Sequence, residues 1–157
     1  MPNFLVIDDR PDVCRAIETV LTSSGYGTRS AYNGEDGLAL LRKTAVDVVV
    51  IDLFMPDLDG IGTIQIMRKD FPTVPIIAIS GHLVATENGW KPDFLKMAVK
   101  LGAKAALRKP FSSSQLSNTV ADVIQSCKEE AMEMATKPER SFAARGGQIQ
   151  EAEARPS

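Results

Sequence analysis

Four short apolar runs of this chain end in residues that handle charge. Phe4-Leu5-Val6-Ile7 runs straight into Asp8-Asp9, Val46–Ile51 into Asp52, and Ile76–Ile79 into Ser80, while Ala105–Leu107 is followed, after Arg108, by Lys109-Pro110. Runs of this length, rich in β-branched residues, predict buried strands. In an open parallel sheet, ligands bind beyond the carboxyl ends of the strands. Three carboxylates brought to one such edge repel one another unless a cation sits among them, and a set of oxygen ligands suits a hard ion such as Mg²⁺ that keeps several waters. A Ser hydroxyl and a Lys ammonium from neighbouring loops would meet the remaining oxygens of a phosphoryl group, the Lys as a point charge. Each element alone says little: a paired acid before Pro11 marks a helix start, Ser80-Gly81 a loop, Lys109-Pro110 a turn. Their joint placement at successive strand ends, one β–α unit apart, points to a site for metal and phosphate.

The elements that must hold these residues alternate along the chain. A weaker strand is predicted near Thr28–Ala31. Val13, Ile17, Val20 and Leu21 recur at helical spacing before Gly25, Leu38 and Leu41 follow Asn33-Gly34, and Ile61, Ile64 and Met67 follow Asp59-Gly60. Phe94, Met97, Ala98 and Leu101 mark a fourth helix ended by Gly102. Leu116, Val120, Val123, Ile124 and Cys127 mark a fifth, capped by Ser112, Ser113 or Ser114. Strand and helix in strict alternation predict an α/β fold, a doubly wound parallel sheet with helices on both faces. With 157 residues, 44% apolar and 24% charged, the chain has room for one compact domain and a tail. The expected division is residues 1–127 as the domain, and 128–157 as an extension of the last helix followed by a disordered tail.

The balance of 18 Lys and Arg against 20 Asp and Glu leaves a net charge of -2, which speaks against binding DNA through bulk charge. No apolar stretch approaches the length of a membrane span or a signal peptide's apolar core. Cys14 and Cys127 lie far apart without a CxxC, which fits a reducing cytoplasm and thiols packed as small hydrophobes.

Phe-Leu-Val-Ile-Asp8-Asp9, Asp52-Leu-Phe-Met-Pro56-Asp57-Leu-Asp59-Gly60, Ile-Ile-Ala-Ile-Ser80-Gly81, Leu101-Gly102-Ala103 and Arg108-Lys109-Pro110-Phe111 together resemble the receiver domain of two-component response regulators, from about Asn3 to Cys127. The resemblance implies a flavodoxin-like sheet of five parallel strands in the order 2-1-3-4-5 with five helices. It implies that Asp52 accepts a phosphoryl group from the phosphohistidine of a sensor histidine kinase or histidine phosphotransfer protein. It further implies that Asp8, Asp9, Asp52 and the carbonyl of Phe54 hold Mg²⁺, that Ser80 and Lys109 contact the phosphoryl oxygens, and that Pro110 follows a cis peptide. The Lys109 ammonium is expected to contact Asp52 before transfer. The output expected of such a stand-alone, cytoplasmic regulator is phosphorylation-dependent binding to a downstream protein target, without DNA or membrane. It would promote its own phosphorylation and dephosphorylation, without being an enzyme in the ordinary sense.

Two rival readings use other features. A degenerate receiver would dock without phosphorylation, and a small Asp-based phosphatase would use Asp57 and Asp59 of the DxDG at Asp57-Leu58-Asp59-Gly60, although there Pro56 separates the motif from the strand end at Asp52. His82, two residues after Ser80, is either an exposed loop residue or a modulator of phosphoryl lifetime. Two departures from the receiver pattern fall on the face that ordinarily carries the output. Ala106 stands three residues before Lys109 where many receivers carry a Tyr, Phe or His, and the segment from Gly81 to Pro92, with Trp90, is longer than usual. A switch running through that segment and Trp90 is the expected substitute for the missing ring.

Overall fold

The computed structural model describes residues 2–55, 60–81 and 94–136. Five strands and five helices alternate: β1 (Asn3–Ile7), α1 (Pro11–Ser23), β2 (Gly27–Ala31), α2 (Gly34–Lys43), β3 (Val48–Asp52), α3 (Gly60–Asp70), β4 (Ile76–Ser80), α4 (Phe94–Lys100), β5 (Ala105–Arg108) and α5 (Ser113–Thr136). All neighbouring strands pair in parallel, in the order β2-β1-β3-β4-β5. This is the doubly wound, flavodoxin-like arrangement expected from the sequence. The order reverses beside β1, between β1 and β3, so the carboxyl ends of those two strands flank the crevice where such sheets bind ligands.

Continuous apolar runs form the middle strands because both sheet faces are covered. Leu5, Ile7, Val49, Ile51, Ile76 and Ala78 pack in one cluster with Leu38 and Leu41 of α2, Ile64 and Met67 of α3, and Leu95 and Ala98 of α4. The alternate residues Phe4, Val6, Val48, Val50, Ile77 and Ile79 turn to the other face and are also buried, as are Cys14, Ile17 and Leu21 of α1 and Leu116, Val120 and Val123 of α5.

Local chemistry sets the helix ends. Pro11 opens α1, where a missing N–H costs nothing. The Asn33 side chain caps α2 by accepting the Asp36 N–H at 2.7 Å. Of the three candidate serines, Ser112 caps α5: its hydroxyl accepts the Gln115 N–H at 3.0 Å while the Gln115 side chain accepts the Ser112 N–H at 2.8 Å, a reciprocal capping box. At the far end of α3, the half-buried Arg68 guanidinium donates to the carbonyls of Phe71 and Val74, pinning the turn that leads into β4.

Two details differ from the sequence reading. β3 spans Val48–Asp52 rather than beginning at Val46, because Asp47 is engaged at the strand's mouth, its carboxylate accepting the Asn3 N–H at 2.7 Å. Asp52 is therefore itself a strand residue, opposite Ile79. On α4 the buried side chains are Leu95 and Ala98, and Met97 is 43% exposed, one position off the inward stripe. The chain forms two compact units, residues 1–123 and 124–157. The described part of the second is the end of α5, which runs to Thr136 with Met132 and Met134 exposed. The tail beyond Thr136 lies outside the described residues, as does Asp59, which precedes α3.

One glycine carries the junction between α3 and β3. A Cβ on Gly60 would collide with the carbonyl oxygen of Asp52 and the Cα of Leu53, backbone atoms that cannot swing aside, while the Gly60 N–H donates to the Leu53 carbonyl at 3.2 Å. Gly27 differs, since a Cβ there would meet only the end of the Asn3 side chain. Gly60→Ala is therefore expected to lower stability by about 2 kcal/mol in urea unfolding, and Gly27→Ala by less than about 0.5 kcal/mol. Equal effects at the two positions would show that the α3–β3 approach is not a constraint.

Candidate functional site

Asp8 follows the last residue of β1, and its N–H donates to the Ala31 carbonyl at 3.1 Å, which ties it to β2. It is fully buried. A buried carboxylate needs partners for its lone pairs, and Asp8 has two: Oδ1 accepts the Arg10 N–H at 3.0 Å and Oδ2 accepts the Lys109 ammonium at 2.9 Å. Asp52, also buried, accepts the Phe54 N–H on Oδ1 at 3.4 Å and has Lys109 Nζ 3.7 Å from Oδ2. Asp9 is half-buried beside them. One oxygen from each of Asp8, Asp9 and Asp52 lies within 4.8 Å of the others, an all-oxygen cluster able to hold a metal ion.

Burial raises the Asp52 carboxyl from 3.8 to about 6, with the Asp8 charge adding to the shift and Asp9 contributing less. The Lys109 ammonium and the Phe54 N–H pull the other way. Lys109 thus divides its charge between two acids, with the shorter contact to Asp8 and the contact to Asp52 expected from the sequence at 3.7 Å. The reason is positional, since Asp8 is the deepest carboxylate and the one with most to gain from a cation.

Lys109 reaches inward because its backbone is clamped. Its N–H donates to the Ser80 carbonyl at 2.8 Å, next to the Ser80–Arg108 pairing of β4 and β5, and the Lys109–Pro110 peptide is cis. Its stem passes directly over Gly81, where a Cβ would stand 3.1 Å from Lys109 Cδ. Ser80 is buried at the end of β4. Phe54 is half-buried and meets Phe94 edge to face, with ring centres 4.8 Å apart. Asp9, Arg10, Asp52, Phe54, Gly81, Lys109 and Pro110 line a cavity of about 480 Å³ over this cluster.

The structure therefore gathers Asp8, Asp9, Asp52, Phe54, Ser80 and Lys109 at one edge of the sheet. Asp57, Asp59, His82 and Trp90 lie outside the described residues, as does the Gly81–Pro92 segment beyond Gly81. Two wall residues were missed by the sequence reading. Gly81 was visible as a small residue directly after Ser80, and Arg10 as the one cation within Asp8-Asp9-Arg10-Pro11-Asp12. Ala106, in place of an aromatic ring, sits opposite Ala78 and packs against the core cluster.

A parallel five-stranded sheet with an acid cluster and a lysine at its switch point defines an α/β protein of the receiver class. The chain matches the response regulator receiver domain over residues 4–121, and it belongs to that family, whose members are phosphoryl acceptors of two-component systems. It is 36% identical over 124 residues to a probable transcriptional regulator, ycf27, of Porphyra purpurea, covering 78% of this chain and 47% of that protein. To a putative NtrX-like response regulator of Rickettsia bellii it is 29% identical over 116 residues, covering 73% of this chain and 23% of that protein. The chain thus spans half or less of the length of these curated relatives. The receiver domain of the Francisella response regulator 1452 superposes with a TM-score of 0.68 at 32% identity, over 80% of this chain and 98% of that one. Among the described residues no helix is long and apolar enough to cross a membrane.

The raised carboxyl of Asp52 carries a stability consequence. The folded state holds this proton up to about pH 6 and the unfolded chain releases it near 3.8, so between these values the fold binds the proton more tightly. Stability from this group is fully present below about pH 4 and falls as pH rises through about 6, by an amount on the order of 3 kcal/mol. In EDTA at pH 7.5, Asp52→Asn is expected to be more stable than the parent by roughly that amount, with the difference vanishing near pH 4. Urea midpoints at the two pH values measure this, and a gain of equal size at both would rule out the ionised carboxylate as its source.

Proposed function

We propose that Asp52 accepts a phosphoryl group from a sensor histidine kinase or histidine phosphotransfer protein, and that this cytoplasmic regulator signals by phosphorylation-dependent binding to another protein. The observation that carries the reading is the convergence of Asp8, Asp9 and Lys109 on a buried Asp52 at the floor of one cavity. Asp8, Asp9, Asp52 and the Phe54 carbonyl are the groups that would hold Mg²⁺, and the clustered carboxylate oxygens fit a hard divalent cation. When bound, the ion offsets charge on the phosphoryl oxygens.

The chain's own residues supply the rest. An Asp52 oxygen attacks phosphorus, the P–N bond to the donor imidazole breaks, and the electron pair leaves with the imidazole. Lys109, already within 3.7 Å of Asp52, meets a phosphoryl oxygen as a point charge, and the Ser80 hydroxyl meets another. Arg in place of Lys109 would offer a planar fork rather than a point charge. In this reading residues 1–127 form the receiver and residues 128–157 an appended segment.

A protein donor needs an approach as well as an acceptor. Beside the site, Val13, Ala16 and Val20 of α1 with Pro110, Phe111 and Leu116 line an apolar depression of about 350 Å³, which supports docking of a partner helix next to Asp52.

Incubation with acetyl phosphate and Mg²⁺ is expected to add one phosphoryl group to the parent and none to Asp52→Asn, read by intact-protein mass. Label persisting in Asp52→Asn would end the assignment. Ala16→Glu, on an exposed position of the depression, is expected to slow transfer from a phosphohistidine protein about tenfold while acetyl phosphate labelling changes less than twofold. An equal loss with both donors would move the docking surface elsewhere.

A further inference from the structure

The cavity above Asp52 has a floor and a rim of different character. Asp52 lies at the floor with 7% of its side chain exposed, and Lys109, at 21%, is held down by Asp8. Arg10 stands at the rim with 66% of its side chain exposed. These are the two cations among the described residues that line the cavity. In-line transfer puts the attacking and leaving atoms on opposite sides of phosphorus, so with Asp52 attacking from the floor the leaving group faces the rim. The cation nearest a departing group is then Arg10.

Its backbone is fixed and its head is loosely held. The Arg10 N–H donates to Asp8 Oδ1, and the residue is the N-cap of α1 ahead of Pro11, so it cannot leave the rim without disturbing Asp8. The guanidinium rests 3.3 Å from Asp12 Oδ2, and both side chains are more than half exposed. An exposed pair of this kind contributes little to stability and exchanges readily for another anion. Asp12 therefore parks the guanidinium at the mouth without locking it there.

Resting on the assignment of Asp52 as phosphoacceptor, we propose that Arg10 is a specificity-determining residue that favours phosphodonors whose leaving group departs as an anion. With an acyl phosphate, the Asp52 oxygen forms the new P–O bond, the old P–O bond breaks, and the electron pair leaves on a carboxylate that the positive charge at the rim can pair with. With a phosphoramidate, the P–N bond breaks and a neutral amine departs, its proton already on nitrogen. No anion forms at the rim, and Arg10 has nothing to stabilise.

The test uses the full chain with Mg²⁺ and compares acetyl phosphate with phosphoramidate as donors, reading the second-order phosphorylation rate by intact-protein mass. The ratio of the two rates is expected to fall about fivefold in Arg10→Ala, the effect of one unit charge near an exposed anion, and to stay within twofold of the parent in Arg10→Lys. Because both donors share the protein, the fold and Asp52, a structural defect lowers both rates and leaves the ratio unchanged. An unchanged ratio in Arg10→Ala, or a fall in Arg10→Lys as large as in Arg10→Ala, would overturn the role of Arg10 while leaving Asp52 as acceptor. A parent protein labelled by neither donor would remove the acceptor assignment and this inference together.

Discussion

Carboxylates crowded at the end of an apolar sheet are the constraint on which the rest of the molecule turns. Asp8 and Asp52 are buried, Asp9 is half-buried, and an oxygen of each lies within 4.8 Å of the others. Like charges at that spacing in a poorly solvated place cost free energy that no apolar contact offsets directly. Lys109 reduces the cost by standing 2.9 Å from Asp8, while burial, with the Asp8 charge, still holds the Asp52 carboxyl raised to about 6. A fold that tolerates this must draw its stability from elsewhere, and β1, β3 and β4 are buried along almost their whole length. The strands are therefore the reservoir that permits a strained edge.

Close approach of backbone to backbone is how the edge is held in register. Gly60 lets α3 begin against the carbonyl of Asp52, and Gly81 lets the Lys109 stem cross the end of β4. Ser80 and Lys109 are joined through the main chain, so a displacement of the Ser80 segment also moves the anchor of the lysine. That linkage matters because Ala106 has no ring to rotate into vacated space. It packs opposite Ala78 as a small core residue, and the connection between Ser80 and Lys109 is the main-chain hydrogen bond between them.

Much of this was legible in the residues. The alternation of strand and helix and the acid cluster follow from apolar runs that end in Asp8, Asp52, Ser80 and the Lys109 loop, because side-chain type and strand end are both encoded locally, whereas the strand order is what the resemblance to receiver domains implied. What was not legible depended on distances between segments remote in sequence. Nothing in Lys109-Pro110 says that the ammonium prefers Asp8 to Asp52, since that choice depends on which carboxylate is deeper. Val46 reads as strand by its type, yet Asp47 is used at the mouth and the pairing starts two residues later. Met97 matches a helical stripe in sequence, but over the short α4 the inward face is set by where Leu95 and Ala98 meet the sheet.

Cys14 shows the same electrostatic edge from beneath. Its thiol donates to the Asp8 carbonyl oxygen at 3.4 Å, and burial together with the Asp8 charge pushes it up to about 11. A thiol held protonated in this way is a poor nucleophile, so the position works as a small hydrophobe with one weak donor. A larger side chain there would press on the turn that sets Asp8, and a charged one would add to the crowding that Lys109 relieves. The demand for a small neutral group under Asp8 is thus a consequence of the acid cluster, reaching one helical turn away from it.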